Sequence, residues 1–284
     1  MKKKYSIQFV VRRIFTRIFI HCFLILACLI SIFPLLRVFS ISIRPSDQVF
    51  STSLKIIPEN ATFTNYTKLL FDTDFILWIL NSLLLATTTS IIGVALATSA
   101  GYAFSRFKFP GYKAGLLFLL LTQMLPGVML LLPLYIMLSK LKLVNTFLGL
   151  IIAYSVTALP FTIWLLRGYF TSIPIELEEA AMIDGCSQLA AFYRITLPLS
   201  LPALAIALFF NFLSAWNDFL IARVIIQTPE MYTWTIGITR FYGERTTLWG
   251  LFAASSVLIS VPVCTVFTYL SRWLISGLTI GAIK

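Results

Sequence analysis

A chain of 284 residues that is 59% hydrophobic and only 12% charged, with a mean hydropathy of +0.92, is not an ordinary soluble domain, whose charged fraction is about twice as high. It reads as an all-α integral membrane protein. The net charge of +11 does not mark a nucleic-acid binder, because the basic residues flank apolar segments and form no stripe with interleaved aromatics.

In chain order, Lys2, Lys3, Lys4, Arg12, Arg13 and Arg17 precede an apolar run. No small-x-small cleavage site follows, so this run is expected to be an uncleaved first span, about 18–42, with its basic end in the cytoplasm. Residues 42–74 make a polar external segment, with Arg44, Asp47, Lys55, Glu59, Lys68, Asp72 and Asp74, too short for a second domain. The second span, 75–104, carries Asn81, Ser82 and the hydroxyls of Thr87 to Ser90. Such groups bond their own backbone or a neighbouring helix, or alternatively line a pore. Arg106, Lys108 and Lys113 then mark an internal loop.

The third span, 114–138, contains Pro126 and Pro133, each expected to kink it. The turn around Lys140, Lys142 and Asn145 is external; its two lysines run against the positive-inside rule, and the six basic residues at the N-terminus outweigh them. The fourth span, 146–166, is expected to be broken near its inner end by Pro160, with Arg167 at the cytoplasmic boundary.

A cytoplasmic loop, 167–200, follows. Pro174 suits the first turn of a helix, and Glu176, Glu178 and Glu179 place negative charge at the positive end of its dipole. Ala180, Ala181 and Ile183 offer a small apolar face, and Gly185 can take the left-handed conformation that ends the helix. A second helix from Ser187 to Arg194 is expected to stop at Leu197-Pro198. On these residues alone the loop is either a docking surface or an amphipathic hairpin lying on the membrane.

The fifth span, 202–226, carries Asn211, Trp216, Asn217 and Asp218. Asp218 lies in its outer part, where interfacial water softens the cost of a charge, and either pairs with Arg223 or lines the outward mouth of a pathway. The external loop 227–247 sets Tyr232, Trp234, Phe241 and Tyr242 among Glu230, Arg240, Glu244 and Arg245, a pattern that suits a membrane-interface belt or a sugar- or protein-contacting surface. The sixth span, 248–273, returns a short tail, Gly277 to Lys284, to the cytoplasm. Both termini are thus expected inside, in a single transmembrane domain covering 1–284.

The spacing Glu179-Ala180-Ala181, three residues, Gly185, nine residues, Ile195-x-Leu197-Pro198 resembles the signature loop of ABC importer permeases. The flanks Ser172-Ile173-Pro174, Ile183-Asp184-Gly185 and Leu197-Pro198-Leu199, with Trp216-Asn217-Asp218-Phe219 and the ending Gly-Leu-Thr-x-Gly-x-x-Lys, are similar to the carbohydrate branch, in particular the smaller permease of maltose-type heterodimers. The resemblance covers the chain from about residue 74 onward and implies the six-helix type I importer fold, in a prokaryotic inner membrane. It also implies a homologous second permease, two ABC ATPase subunits docked on the signature loops, and an extracytoplasmic solute-binding protein. Glu179, Ala180, Ala181, Asp184, Gly185, Ile195, Leu197 and Pro198 would form the ATPase-coupling surface; Asn211, Trp216, Asn217, Asp218, Tyr232 and Trp234 are candidates for pathway or external-loop contacts. In maltose-type permeases the loop equivalent to 227–247 reaches into the docked binding protein.

The chain has no phosphate loop, no paired catalytic carboxylates and no Ser/His/Asp set, so it is expected to be a transport subunit and not an enzyme. Cys22, Cys28, Cys186 and Cys264 include no C-x-x-C pair and His21 stands alone, so neither cofactor nor metal is expected. A secondary transporter would need mid-membrane ionisable groups and ideally a repeat, and neither is evident. The cargo implied is maltose, a maltodextrin or a related α-glucoside, with glycerol-phosphate or another polyol as the alternative.

Overall fold

The computed structural model describes residues 7–45, 55–58, 60–243 and 247–280. Lys2 to Lys4, Asp47, Glu59, Glu244, Arg245 and the end of the tail from Gly281 lie outside them. Among the described residues all regular structure is helical. Four helices are long and apolar enough to cross a membrane, and two bent helix pairs raise the number to six if each pair is one span. The chain divides into two compact units, Met1–Asp72 with Phe241–Leu258, and Thr73–Arg240 with Ile259–Lys284.

In the first unit, α1 (Ile7–Ser42) starts well before the apolar run, and the apolar side chains along its middle are exposed, as a surface covered by lipid would be. Polar anchors hold the described residues that follow it. Arg44 is only 1% exposed and donates to the Lys55 carbonyl at 3.3 Å. Asn65, on α2 (Thr64–Phe71), donates to the carbonyls of Ser42 and Arg44 at 2.9 and 2.8 Å.

The second unit is built on α3 (Phe75–Arg106), which packs against α6 (Phe147–Ser172) and α10 (Leu201–Asn217). Close approach comes from small residues at four-residue spacing on α3, Gly93, Ala97 and Gly101. A Cβ on Gly101 would stand 3.1 Å from the Arg167 backbone nitrogen, and one on Gly93 3.1 Å from Asn211 Oδ1. Of the Thr87 to Ser90 hydroxyls, that of Ser90 turns to its own helix and donates to the Thr87 carbonyl at 2.8 Å.

The prolines act unequally. The segment 114–138 is not one kinked helix: α4 (Tyr112–Met124) and α5 (Gly127–Lys140) meet at 107° across Leu125-Pro126, while Pro133 sits inside α5. Pro160, expected to break its span, does not, and α6 runs on to Ser172 with Pro160 buried. The packing of α6 against α3 and α10 holds the helix through the missing hydrogen bond.

Beyond α6 lie α7 (Glu176–Ile183), α8 (Gln188–Ala191), a π-turn over Phe192–Thr196, and α9 (Leu197–Leu199). After α10, α11 (Leu220–Ile225) and α12 (Trp234–Gly237) are short, and α13 (Trp249–Ile280) closes the chain. The fifth apolar segment is therefore helical to Asn217, opens at Asp218 and resumes in α11.

Candidate functional site

The loop after α6 forms its corner where the glycine stands. Gly185 has φ +92°, and nothing lies within 4 Å of where its Cβ would be. The Asp184, Gly185 and Cys186 N–H groups turn back onto the Ala180, Met182 and Ala181 carbonyls, closing α7. Two boundaries differ from expectation. Helix α7 starts at Glu176, and Pro174 precedes it, its carbonyl accepting the Leu177 N–H. Past the corner, Ser187 caps α8 by accepting the Ala190 N–H at 3.2 Å. The chain does not stop at Leu197-Pro198 but continues helically through the π-turn to Leu199, the Leu197 N–H reaching back to the Phe192 carbonyl.

This loop has two faces. Outward stand Glu179, Ala180, Asp184, Gly185 and Pro198, with Ala181, Ile195 and Leu197 half-buried. Apolar side chains share that exposure: Ile183 is 86% exposed, and Leu189, Tyr193 and Met182 are exposed beside it in sequence. Inward, Phe192 joins Tyr102, Phe170 and Ile173 in the core cluster, with the Tyr102 and Phe192 ring centroids 4.3 Å apart.

Within the inward face lies a residue that sequence reasoning counted only as a dipole charge. Glu178 is 3% exposed. Its Oε1 accepts from Thr196 Oγ1 at 2.7 Å and from Arg106 Nε at 2.8 Å, and its Oε2 accepts from the Tyr102 hydroxyl at 2.7 Å. Arg106 also donates to the Ile173 carbonyl at 3.1 Å. Burial opposes ionisation of Glu178, but the hydrogen bonds from Thr196, Tyr102 and Arg106, with the arginine charge, outweigh it, and its pKa lies below the usual carboxylate range. The available signal was weak: a basic residue closing α3 and an acidic one opening α7 are each ordinary helix-end charges.

The other candidates are divided between core and surface. Trp216 is buried and stacks on Phe212, with ring centroids 5.5 Å apart. Asn211 is buried, donates to Thr162 Oγ1 at 2.8 Å, and borders a cavity of about 290 Å³ with Gln123, Thr157, Phe161 and Ser214. Asn217 is exposed and donates to the Leu213 carbonyl at 3.0 Å. Asp218 does not pair with Arg223: its carboxylate accepts the Ala222 N–H at 3.0 Å and opens α11, whereas Arg223 points to the Tyr232 hydroxyl at 3.5 Å. Asn81 fastens the segment after α11 by donating to the carbonyls of Glu230 and Tyr232, and Ser82 accepts the Trp234 N–H. Tyr232 lies under the Arg240 guanidinium at 5.1 Å, and Trp234 tilts against Trp216. These two half-buried aromatics are held by the structure, not free at a loop tip.

Residues 90–280 match the model of the family described as binding-protein-dependent transport system inner membrane component. The galactooligosaccharides transport system permease protein GanQ of Bacillus subtilis is 34% identical over 96% of this chain and 98% of its own. The maltose/maltodextrin transport system permease protein MalG of Escherichia coli is 34% identical over 94% of this chain and 96% of its own. In fold, the chain resembles a crystal structure of a bacterial ABC transporter involved in the import of the acidic polysaccharide alginate, with a TM-score of 0.76 at 22% identity over 95% of this chain and 99% of that one. The chain therefore belongs to the inner membrane components of binding-protein-dependent transport systems, as a multi-pass permease subunit that does not itself hydrolyse ATP.

Proposed function

We propose that this chain forms half of the translocation pathway of a sugar importer, and that its 167–200 loop is the cytoplasmic lever on which an ABC ATPase subunit docks. The observation that carries this reading is the Gly185 corner, which displays Ile183 at 86% exposure and the open Glu179-Ala180 face together on one short helix. A patch of that kind on an element whose opposite face is anchored fits a partner's cleft better than a membrane surface. In this reading the protein is one transmembrane domain of six spans with both termini in the cytoplasm. A homologous second permease completes the pathway, two ATPase subunits engage the two loops, and an extracytoplasmic binding protein delivers the solute. ATP-driven closure moves each loop and turns the cavity between the permeases from inward to outward facing.

For the cargo we propose a neutral di- or oligosaccharide of the maltose or maltodextrin type. The two relatives carry names of oligosaccharide systems that differ in sugar, which supports the class more than the member. The cavity beside Asn211 is lined by amides, hydroxyls and phenylalanine rings, groups that suit sugar hydroxyls and ring faces, whereas a glycerol-phosphate would be met by arginine forks. The complex purified through a tagged copy of this chain should contain an ATPase subunit and a second permease. With its cognate binding protein, its ATP hydrolysis should rise on adding maltotriose. Stimulation only by a phosphodiester, an amino acid or a peptide would overturn the cargo; absence of an ATPase subunit would overturn the lever.

A further inference from the structure

We propose that Glu178 is the joint through which movement of α7 reaches the membrane-spanning helices, a positioning residue rather than a docking one. The inference rests on the lever reading above and goes beyond it by naming the route of transmission. On the far side of α7 the covalent route runs through Gly185, a corner held by backbone hydrogen bonds of its own turn but with no side chain packed against the membrane-spanning helices. On the near side, the residues between α6 and α7 are held by a hydrogen bond from Arg106 to the Ile173 carbonyl. The firm connection is therefore lateral. One carboxylate gathers three donors from two other elements: Tyr102 and Arg106 at the end of α3, and Thr196 in the π-turn that leads through α9 to α10.

Three features suit this group to transmission more than to bulk stability. A buried ion pair contributes little net stability against an apolar replacement, but it fixes one arrangement, because removing either partner strands a charge. Tyr102, which donates to the carboxylate, is packed edge-on and tilted against Phe170 and Phe192, and with Glu178 only 3% exposed water does not compete for it. The π-turn is a costly local geometry that concentrates at functional positions, and here it brings Thr196 onto Glu178. A push on the exposed face of α7 thus meets α3 and the root of α10 together.

The test uses the assembled complex with nitroxide labels at Glu176→Cys, an exposed position on α7 outside the docking set, and at Leu96→Cys, an exposed position on α3, after Cys22, Cys28, Cys186 and Cys264 are replaced by serine. Without nucleotide and in the ATP–vanadate state, the distance should keep one narrow distribution, since α7 and α3 move as one body. In Glu178→Gln it should broaden or shift on trapping, and maltotriose imported per ATP hydrolysed should fall at least tenfold. Thr196→Val and Tyr102→Phe leave the ion pair in place and decide the matter if Glu178→Gln fails to assemble; each should lower import per ATP several-fold, with non-additive effects in combination. An unchanged distance distribution and an unchanged import-per-ATP ratio, with only the amount of complex reduced, would leave Glu178 a structural brace and overturn the joint. A complex without an ATPase subunit would instead overturn the lever, and an ATPase-bearing complex that imports no maltotriose would overturn the cargo while the distance still reads the joint.

Discussion

The inner and outer faces of the 173–200 loop are made from the same few turns of chain, yet they are built oppositely. Inward, Glu178, Thr196, Phe192 and Ala191 are buried, and each oxygen of the one carboxylate is occupied. Outward, Glu179, Asp184 and Ile183 stand in the open, and nothing lies within 4 Å of where a Cβ on Gly185 would be. Adjacent glutamates are therefore placed oppositely: Glu178 ties the helix to its own chain, and Glu179 is exposed. A segment that only covered the membrane surface would have no reason to bury a paired charge at its root.

The sharpest way to break this contrast is to remove the inward anchor. Glu178→Ala strands the Arg106 guanidinium, 6% exposed, and should cost about 3–5 kcal/mol of loop stability, read as faster hydrogen exchange in α7 and the π-turn. The pH dependence follows from the sign of the shift. With its folded pKa lowered, Glu178 contributes its full stabilisation above the ordinary glutamate value of about 4.3 and loses it as the pH falls through the lower folded value. The difference in exchange between wild type and Glu178→Gln should therefore be flat from about pH 6 to 8. A slope in that window would mean that the carboxylate is not held by these partners.

The outward face calls for a smaller structural effect with a larger functional one. Gly185→Leu places a side chain at φ +92°, a strain of roughly 1–2 kcal/mol, in space that is otherwise open. The chain should insert and keep its inward packing, while ATPase docking falls at least tenfold; Glu179→Lys should do the same by inverting the presented charge. Normal uptake by both variants would show that the outer face docks nothing.

Much of this was legible in the sequence. Hydropathy alone gave the all-helical class, and Gly185 marked its own corner because only a glycine adopts that backbone freely. What sequence missed were pairings at long range. Arg106 reads as an inner flank and Glu178 as a helix-start charge, 72 residues apart, and nothing local says that they meet. The prolines differ for a related reason: Pro126 breaks a helix that is largely exposed, whereas Pro160 is held within α6 by neighbours that no local rule sees. Asp218 likewise turned to the backbone of its own next helix and not to the nearby Arg223.

The most direct measurement is the labelling of Cys186, which is half-buried one residue past the corner. In a variant keeping only that cysteine, a membrane-impermeant thiol reagent should spare intact cells, react in inside-out vesicles stripped of the ATPase subunit, and be excluded once that subunit is restored. Reaction from the outside, or reaction unaffected by the ATPase subunit, would contradict a cytoplasmic loop whose outer face is the docking surface.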